Sequence, residues 1–385
     1  MTIIFLINID KIELGGGDYS VYKYGEYLAR RGNSIYMFWV TNPNFYMRQS
    51  KDSNLYIEKR FKISRIFRGS TRIDSFIEKI YDLYKLDSFI EKNKEKIDYI
   101  VGYQTKTAIK AQKYRRKYNI KTVNFIFETP EWLKRQWGNE WLEKWKNDQI
   151  RQTWNKFKKA LDQTDVIFPI SIIAKNQVES WLGRSIADPI YPGIDINDIE
   201  NINPYIQKKS QIIYIGRLRQ HKNVNEIIRA LSMIKSKPKL IICGDGPDKY
   251  DLMTLARKLN VFCDFRGIIT DYEKWTLISE SKFMVFPSSF EGFGMPPLEA
   301  LACGIPCICT DIPILREGYQ DKVEYFVEHN IEQLVGKIEY LLHNPDYCKK
   351  RGYEGRNYVL NRFSWEKSAE KIMKILINRK SNNIY

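Results

Sequence analysis

Glu291 and Glu299 stand eight residues apart around a glycine-rich stretch, Phe286-Pro287-Ser288-Ser289-Phe290-Glu291-Gly292-Phe293-Gly294-Met295-Pro296-Pro297-Leu298-Glu299-Ala300. An apolar run ends before it, and Pro296 or Pro297 suits the first turn of a helix after it. Glycines 292 and 294 let backbone N–H groups approach a ligand, and a helix N-terminus favours an anion. Carboxylates beside such a site suit the hydroxyls of a ribose or a sugar ring. A glycosidase acid/base pair fits less well. Eight residues of helix span about 12 Å, while such carboxylates stand roughly 5–9.5 Å apart. Because Glu291 falls in the loop, its distance is not fixed. The plain alternative is a solvated loop Glu followed by a helix-start Glu.

A second segment, Tyr214-Ile215-Gly216-Arg217-Leu218-Arg219-Gln220-His221-Lys222-Asn223, adds cations. Arg217 and Lys222 follow a strand end and precede a helix, an arrangement suited to a diphosphate. Basic turns are common, so this segment gains its meaning from the first.

These segments need strands and helices to position them. Apolar runs alternate with longer periodic segments, the pattern of doubly wound α/β domains. Strands are expected at Ile3–Ile9, Ser34–Val40, Tyr99–Gly102, Thr122–Phe127 and Val166–Pro169, with a helix over Val21–Arg31. A Pro/Gly/Asn-rich stretch from Tyr191 to Pro204 reads as a linker. The alternation restarts with strands at Gln211–Ile215, Lys239–Cys243, Val261–Arg266, Phe283–Pro287 and Cys307–Thr310. Helices are expected over Asn223–Ile234, Lys249–Asn260, Asp271–Glu280 and from about Glu299.

Gly216-Arg217-Leu218 with Lys222, Gly244-Asp245-Gly246-Pro247, Phe286-Pro287-Ser288 leading to Glu291-Gly292-Phe293-Gly294, Pro297-Leu298-Glu299-Ala300 and Cys303-Gly304-Ile305-Pro306 follow in order. Residues 211–310 thereby resemble the C-terminal domain of retaining glycosyltransferases of family 4, which have the GT-B fold. Gly15-Gly16-Gly17, the Gly32 turn and Phe363-Ser364-Trp365 extend the likeness more faintly over the chain. The resemblance implies two Rossmann-like, doubly wound α/β domains facing across a cleft. Residues 1–195 would bind the acceptor and 196–363 the nucleotide sugar, with 364–385 a helix crossing back to the N-terminal domain.

The resemblance also implies roles. Arg217 and Lys222 would bind the donor diphosphate after Gly216 and stabilise it as leaving group. Glu291 would contact donor-sugar hydroxyls. Gly292, Phe293, Gly294 and Met295 would offer backbone N–H groups, and Glu299 would hold the ribose, with Leu298 in the same donor-binding stretch. Gly267 and Ile268 would lie near the base, and Gly17 would approach from the other domain. A helix dipole and cations would replace a metal ion, and the chain holds no Asp-x-Asp. No cofactor is expected; the co-substrate is a nucleotide sugar, UDP-linked by default. One departure is the absence of any His before residue 221. Glu128 or Glu131 stands in the region where many relatives place a His that faces the donor sugar; the resemblance makes Glu128 a candidate acceptor or sugar contact in its place, and ordinary loop carboxylates are the alternative.

The net charge of +16 is uneven. Residues 1–190 hold 34 Lys/Arg against 22 Asp/Glu, and residues 191–385 hold 28 against 24. Lys59, Arg60, Lys62, Arg65, Arg68 and Arg72 alternate with apolar residues, and Trp137, Trp141 and Trp145 form a helical stripe near Trp132 and Trp154. The expectation is peripheral contact with an anionic membrane and a glycan or lipid-linked acceptor; a solvated lysine-rich surface and a core stripe are the alternatives. No run of 18 apolar residues suggests a transmembrane helix. The first residues lack a signal peptide's basic region and cleavage site. Six scattered cysteines and three histidines argue against structural zinc. The expectation is a cytoplasmic protein able to work at the inner membrane face. A dinucleotide oxidoreductase lacks its Gly-x-Gly-x-x-Gly after the first strand. Nucleic acid is not expected as a partner, since charge alone favours it without a recognition motif. A non-catalytic sugar-nucleotide-binding subunit would have no need to keep Arg217, Lys222, Glu291 and Glu299 together.

Overall fold

The computed structural model describes residues 1–7, 16–39, 55–57, 86–127, 133–134, 146–195, 199, 208–236 and 238–381. The chain divides into two compact units. One comprises Met1–Ile190 with Trp365–Tyr385, the other Tyr191–Ser364.

The first unit is built on a six-stranded parallel sheet: β1 (Thr2–Ile7), β2 (Ser34–Trp39), β3 (Leu55–Ile57), β4 (Tyr99–Tyr103), β5 (Lys121–Ile126) and β6 (Val166–Pro169). The spatial order is β3-β2-β1-β4-β5-β6. β1 reads Thr-Ile-Ile-Phe-Leu-Ile, and Ile3 to Leu6 are fully buried. Such unbroken apolar runs are what a parallel strand covered on both faces requires. Helix Gly16–Arg30 follows β1, beginning five residues before the expected Val21 because its first turn, Gly-Gly-Asp-Tyr-Ser, carries no apolar periodicity. Helix Trp365–Ser381 also belongs to this unit: Tyr24 packs edge-on against Trp365 at 5.5 Å, and the Tyr99 hydroxyl donates to the Leu376 carbonyl at 2.8 Å.

The second unit repeats the design with β7 (Gln211–Ile215), β8 (Lys239–Cys243), β9 (Cys263–Gly267), β10 (Met284–Phe286), β11 (Cys307–Thr310) and β12 (Glu324–Phe326). All are parallel, in the order β12-β11-β10-β7-β8-β9. Both sheets thus have the doubly wound Rossmann order, in which the first and fourth strands of each unit are neighbours. Connections leave those two strands toward opposite sides, and ligands favour the crevice at their carboxyl ends. In the second unit that crevice lies at the ends of β7 and β10.

At the start of the second unit, the Ile194 N–H donates to the Phe363 carbonyl at 3.1 Å, and Ile194 bridges Ser364. The chain therefore enters and leaves this unit side by side. Among the described residues no helix is long and apolar enough to cross a membrane. The basic run 59–72 and Trp132, Trp137, Trp141 and Trp145 lie outside the described residues. Trp154 is a core residue of helix Asp148–Asp162, 8% exposed and edge-on to Trp181 at 6.1 Å.

Candidate donor site at the β7 and β10 strand ends

β7 ends in Ile215 and β10 in Phe286, and the two motif segments follow directly. The loops are tied together by backbone and side chain. The Ser289 N–H donates to the His221 carbonyl at 2.9 Å. Asn223 Nδ2 donates to the Pro287 carbonyl at 3.0 Å and contacts Ser289 Oγ at 2.5 Å. Asn223 is buried, has a left-handed backbone (φ 50°) and precedes helix Val224–Met233. The sequence marks Asn223 only as a helix start. Asparagine tolerates this conformation and carries a side-chain donor, but nothing in the sequence names its partners.

The Gly244-Asp245-Gly246-Pro247 loop supports the first segment from beneath. The Leu218 N–H donates to the Asp245 carbonyl at 2.9 Å. Gly244 has φ 134°, and a Cβ there would stand 1.9 Å from the Gly216 carbonyl oxygen, so only glycine fits. Gly294 is equally constrained: its φ is 94°, a Cβ would meet Leu315 at 2.7 Å, and its carbonyl accepts from Tyr319 Oη. A Cβ on Gly292, by contrast, would meet nothing within 4 Å. Packing of the protein itself does not demand glycine there.

Lys222 Nζ donates to Glu291 Oε1 at 2.6 Å, and the two side chains are 14% and 11% exposed. The Arg217 guanidinium is exposed and makes no hydrogen bond or ion pair among the described residues. The cations gather around His221. Burial first, then Lys222, Arg219 and Arg217, push its imidazole down to about 3. His221 is therefore neutral at physiological pH, in a place whose field favours anions.

Helix Met295–Ala302 starts after Gly294, with Pro296 and Pro297 in its first turn. Glu299 is buried on this helix, and its Oε1 accepts from Lys274 Nζ at 2.7 Å. Lys274, from helix Asp271–Glu280, belongs to none of the sequence motifs. Gly267 ends β9 with φ 67°, and Ile268 beyond it is 68% exposed.

Two of the residues in the expected donor stretch turn their side chains away from the loop. Phe293 is 3% exposed and packs against Tyr191, Tyr319 and Phe363, and Leu298 is fully buried. Their apolar side chains fill the core beneath the loop, so only their backbone groups can face a ligand. Met295 is half-buried at the helix start. Gly17 belongs to the first unit, in the opening turn of helix Gly16–Arg30, where a Cβ would stand 3.3 Å from the Phe127 ring. Glu128 and Glu131 lie outside the described residues.

Residues 195–358 match the family model of glycosyl transferases group 1. The match falls on the domain formed by the second unit. The matched stretch contains both motif segments and all four charged residues singled out in them. One curated relative of this domain is the Campylobacter jejuni N-acetylgalactosamine-N,N'-diacetylbacillosaminyl-diphospho-undecaprenol 4-alpha-N-acetylgalactosaminyltransferase. It is 31% identical over 166 residues, 41% of this chain and 45% of that protein. The chain spans about half the length of the curated relatives it matches. Among solved structures, sucrose-phosphate synthase from Thermosynechococcus elongatus superposes with a TM-score of 0.77 at 17% identity, covering 99% of this chain and all of that one. Anabaena HepE in complex with UDP-glucose superposes with a TM-score of 0.72 at 14% identity, covering 98% of this chain and all of that one. At these identities the two structures establish the fold, α/β with two parallel sheets as in GT-B glycosyltransferases.

Proposed function

We propose that the protein is a retaining glycosyltransferase that moves a hexose from a nucleotide diphosphate sugar to a glycan or lipid-linked acceptor without a metal ion. The reading rests on one observation above the others: Arg217, Lys222 and Glu291 follow the two strands that flank the switch point of the second sheet. Breaking the sugar–phosphate bond builds negative charge on the diphosphate. Arg217 offers an uncommitted guanidinium to it, and Lys222 an ammonium that a phosphate oxygen would share with Glu291. The start of helix Met295–Ala302 adds its dipole. Glu291 meets hydroxyls of the transferred sugar, and Glu299 those of the ribose. In a retaining reaction the departing phosphate takes the acceptor's proton, so no protein base is needed.

UDP is the default nucleotide, in keeping with the UDP-glucose bound by HepE. A lipid-linked acceptor is supported by the basic surplus of residues 1–190 and by a relative named for a diphospho-undecaprenol compound. We place the protein in the cytoplasm, at an anionic membrane face. Flotation with liposomes with and without anionic lipid tests that part; failure to float with either removes it.

Purified protein, with EDTA, is incubated with UDP-, GDP- and ADP-sugars while nucleoside diphosphate release is followed. Release from one donor, abolished in Glu291→Ala and Arg217→Ala, supports the reading. Release that appears only with added metal refutes the metal-independent part. No release and no donor binding refute the transferase reading.

A further inference from the structure

Lys274 holds a carboxylate of the proposed donor site, yet no motif of the chain includes it. It is the fourth residue of helix Asp271–Glu280, whose start is fixed by a reciprocal capping box between Thr270 and Glu273. Lys274 Nζ lies 2.7 Å from Glu299 Oε1 and 3.1 Å from Asp271 Oδ1. The Lys274 and Glu299 side chains are 15% and 11% exposed, while Asp271 is 76% exposed. The ammonium also lies over the Trp275 ring, 4.4 Å from its centroid. Burial acts to strip the proton from Lys274, but Glu299 and then Asp271 overcome it and hold the group above the usual lysine range. Lys274 thus stays charged beside Glu299.

The two oxygens of Glu299 differ. Oε1 is clamped by Lys274, while Oε2 has no hydrogen-bond partner among the described residues and is not sealed from solvent. Without its cation this carboxylate would be free to turn about its last torsion. Lys274 prevents that.

We propose that Lys274 is the positioning residue for ribose recognition: it keeps Glu299 clamped at Oε1 so that Oε2 meets the ribose hydroxyls of the nucleotide diphosphate. This rests on the assignment of Glu299 to the ribose in the proposed function. Its signature is selective. Losing Lys274 erases the preference for a ribonucleotide over one lacking those hydroxyls, and spares the affinity that comes from base and diphosphate.

Calorimetric titration of wild type, Lys274→Met, Lys274→Gln and Lys274→Arg tests it. The probes are UDP, GDP and ADP with their 2′,3′-dideoxy counterparts, and folding is checked by circular dichroism and thermal melting. Wild type should prefer one ribonucleotide by about tenfold or more, the worth of hydrogen bonds to a charged acceptor. In Lys274→Met the preference should fall below about threefold, with the dideoxy affinity unchanged. Lys274→Arg should restore most of it. Lys274→Gln, which keeps a donor but no charge, should lie between, and it carries the test if the Met variant does not fold. A preference that survives at the wild-type level in the Met or Gln variant overturns the role of Lys274 alone. So does an equal loss for both nucleotides, which marks a merely structural role. Wild type without any preference overturns it together with the ribose role of Glu299. No binding of any probe overturns both this inference and the donor site itself.

Discussion

The two sheets share one topology and differ in what their switch points carry. In the second unit, the ends of β7 and β10 hold Arg217, Lys222 and Glu291, with a neutral His221 among the cations. In the first unit, β4 ends in Tyr103, whose hydroxyl donates to Asp18 Oδ1 at 2.7 Å across from helix Gly16–Arg30. The Tyr103 ring meets Phe127 edge-on at 6.4 Å, and Gln104 beside it has φ 57°. Among the described residues, one switch point is thus ionic and the other aromatic and hydroxyl-bearing. The same scaffold therefore leaves the chemistry to the few residues after the strands, and the ionic end is the one suited to a diphosphate.

Removing charge from the ionic end should have the largest effect. Lys222→Ala should lower kcat/KM for donor hydrolysis by about a thousandfold, within the range seen when one group facing developing charge is lost. If steady-state kinetics show less than a tenfold drop, the diphosphate lies elsewhere. The next test concerns the open space at Gly292. Because a Cβ there meets nothing, Gly292→Ala should leave the melting temperature unchanged while donor affinity falls by about tenfold through lost close approach. A variant that melts early and binds normally would make Gly292 a folding residue. At the aromatic end, Tyr103→Phe should leave donor affinity intact and slow transfer to acceptor only a few-fold, the worth of one hydrogen bond. An equal effect on donor hydrolysis would erase the contrast between the two ends.

The smallest effect is on stability against pH. The imidazole of His221 is pushed from 6.5 down to about 3 in the folded chain. The unfolded chain therefore binds a proton that the folded chain refuses as pH falls below 6.5. His221 thus contributes a loss of stability between pH 6.5 and about 3, and none above. Denaturant unfolding across that window should fall less steeply in His221→Gln. Equal slopes in the two proteins would mean that His221 protonates freely in the folded state.

The sequence was informative where burial on both faces imposes unbroken apolar runs. β7 as Gln-Ile-Ile-Tyr-Ile and β8 as Lys-Leu-Ile-Ile-Cys fall where the pattern puts them, and so does β6. β3, Leu-Tyr-Ile, and β12, Glu-Tyr-Phe, escaped because three residues at a sheet edge are too short for a periodic signal. The pairing of Lys222 with Glu291 spans 69 residues of chain, and that of Lys274 with Glu299 spans 25. Motif spacing brought the first two to notice through their loops. Lys274 sits on a helix whose pattern gives one lysine no distinction from its neighbours. Phe293 and Leu298 belong to motif stretches yet face the core, because a loop that holds a ligand on one side needs a packed underside on the other.

The adjoining crossings at Ile190/Tyr191 and Ser364/Trp365 make the second unit an uninterrupted stretch and the first a split one. On the ribosome, residues 1–190 emerge first but lack the helix that covers Tyr24 and Tyr99 until the whole of the second unit has been made. Domains generally fold as units during synthesis. Here the nascent first unit must wait, with apolar surface uncovered, for a segment delivered after its neighbour is complete.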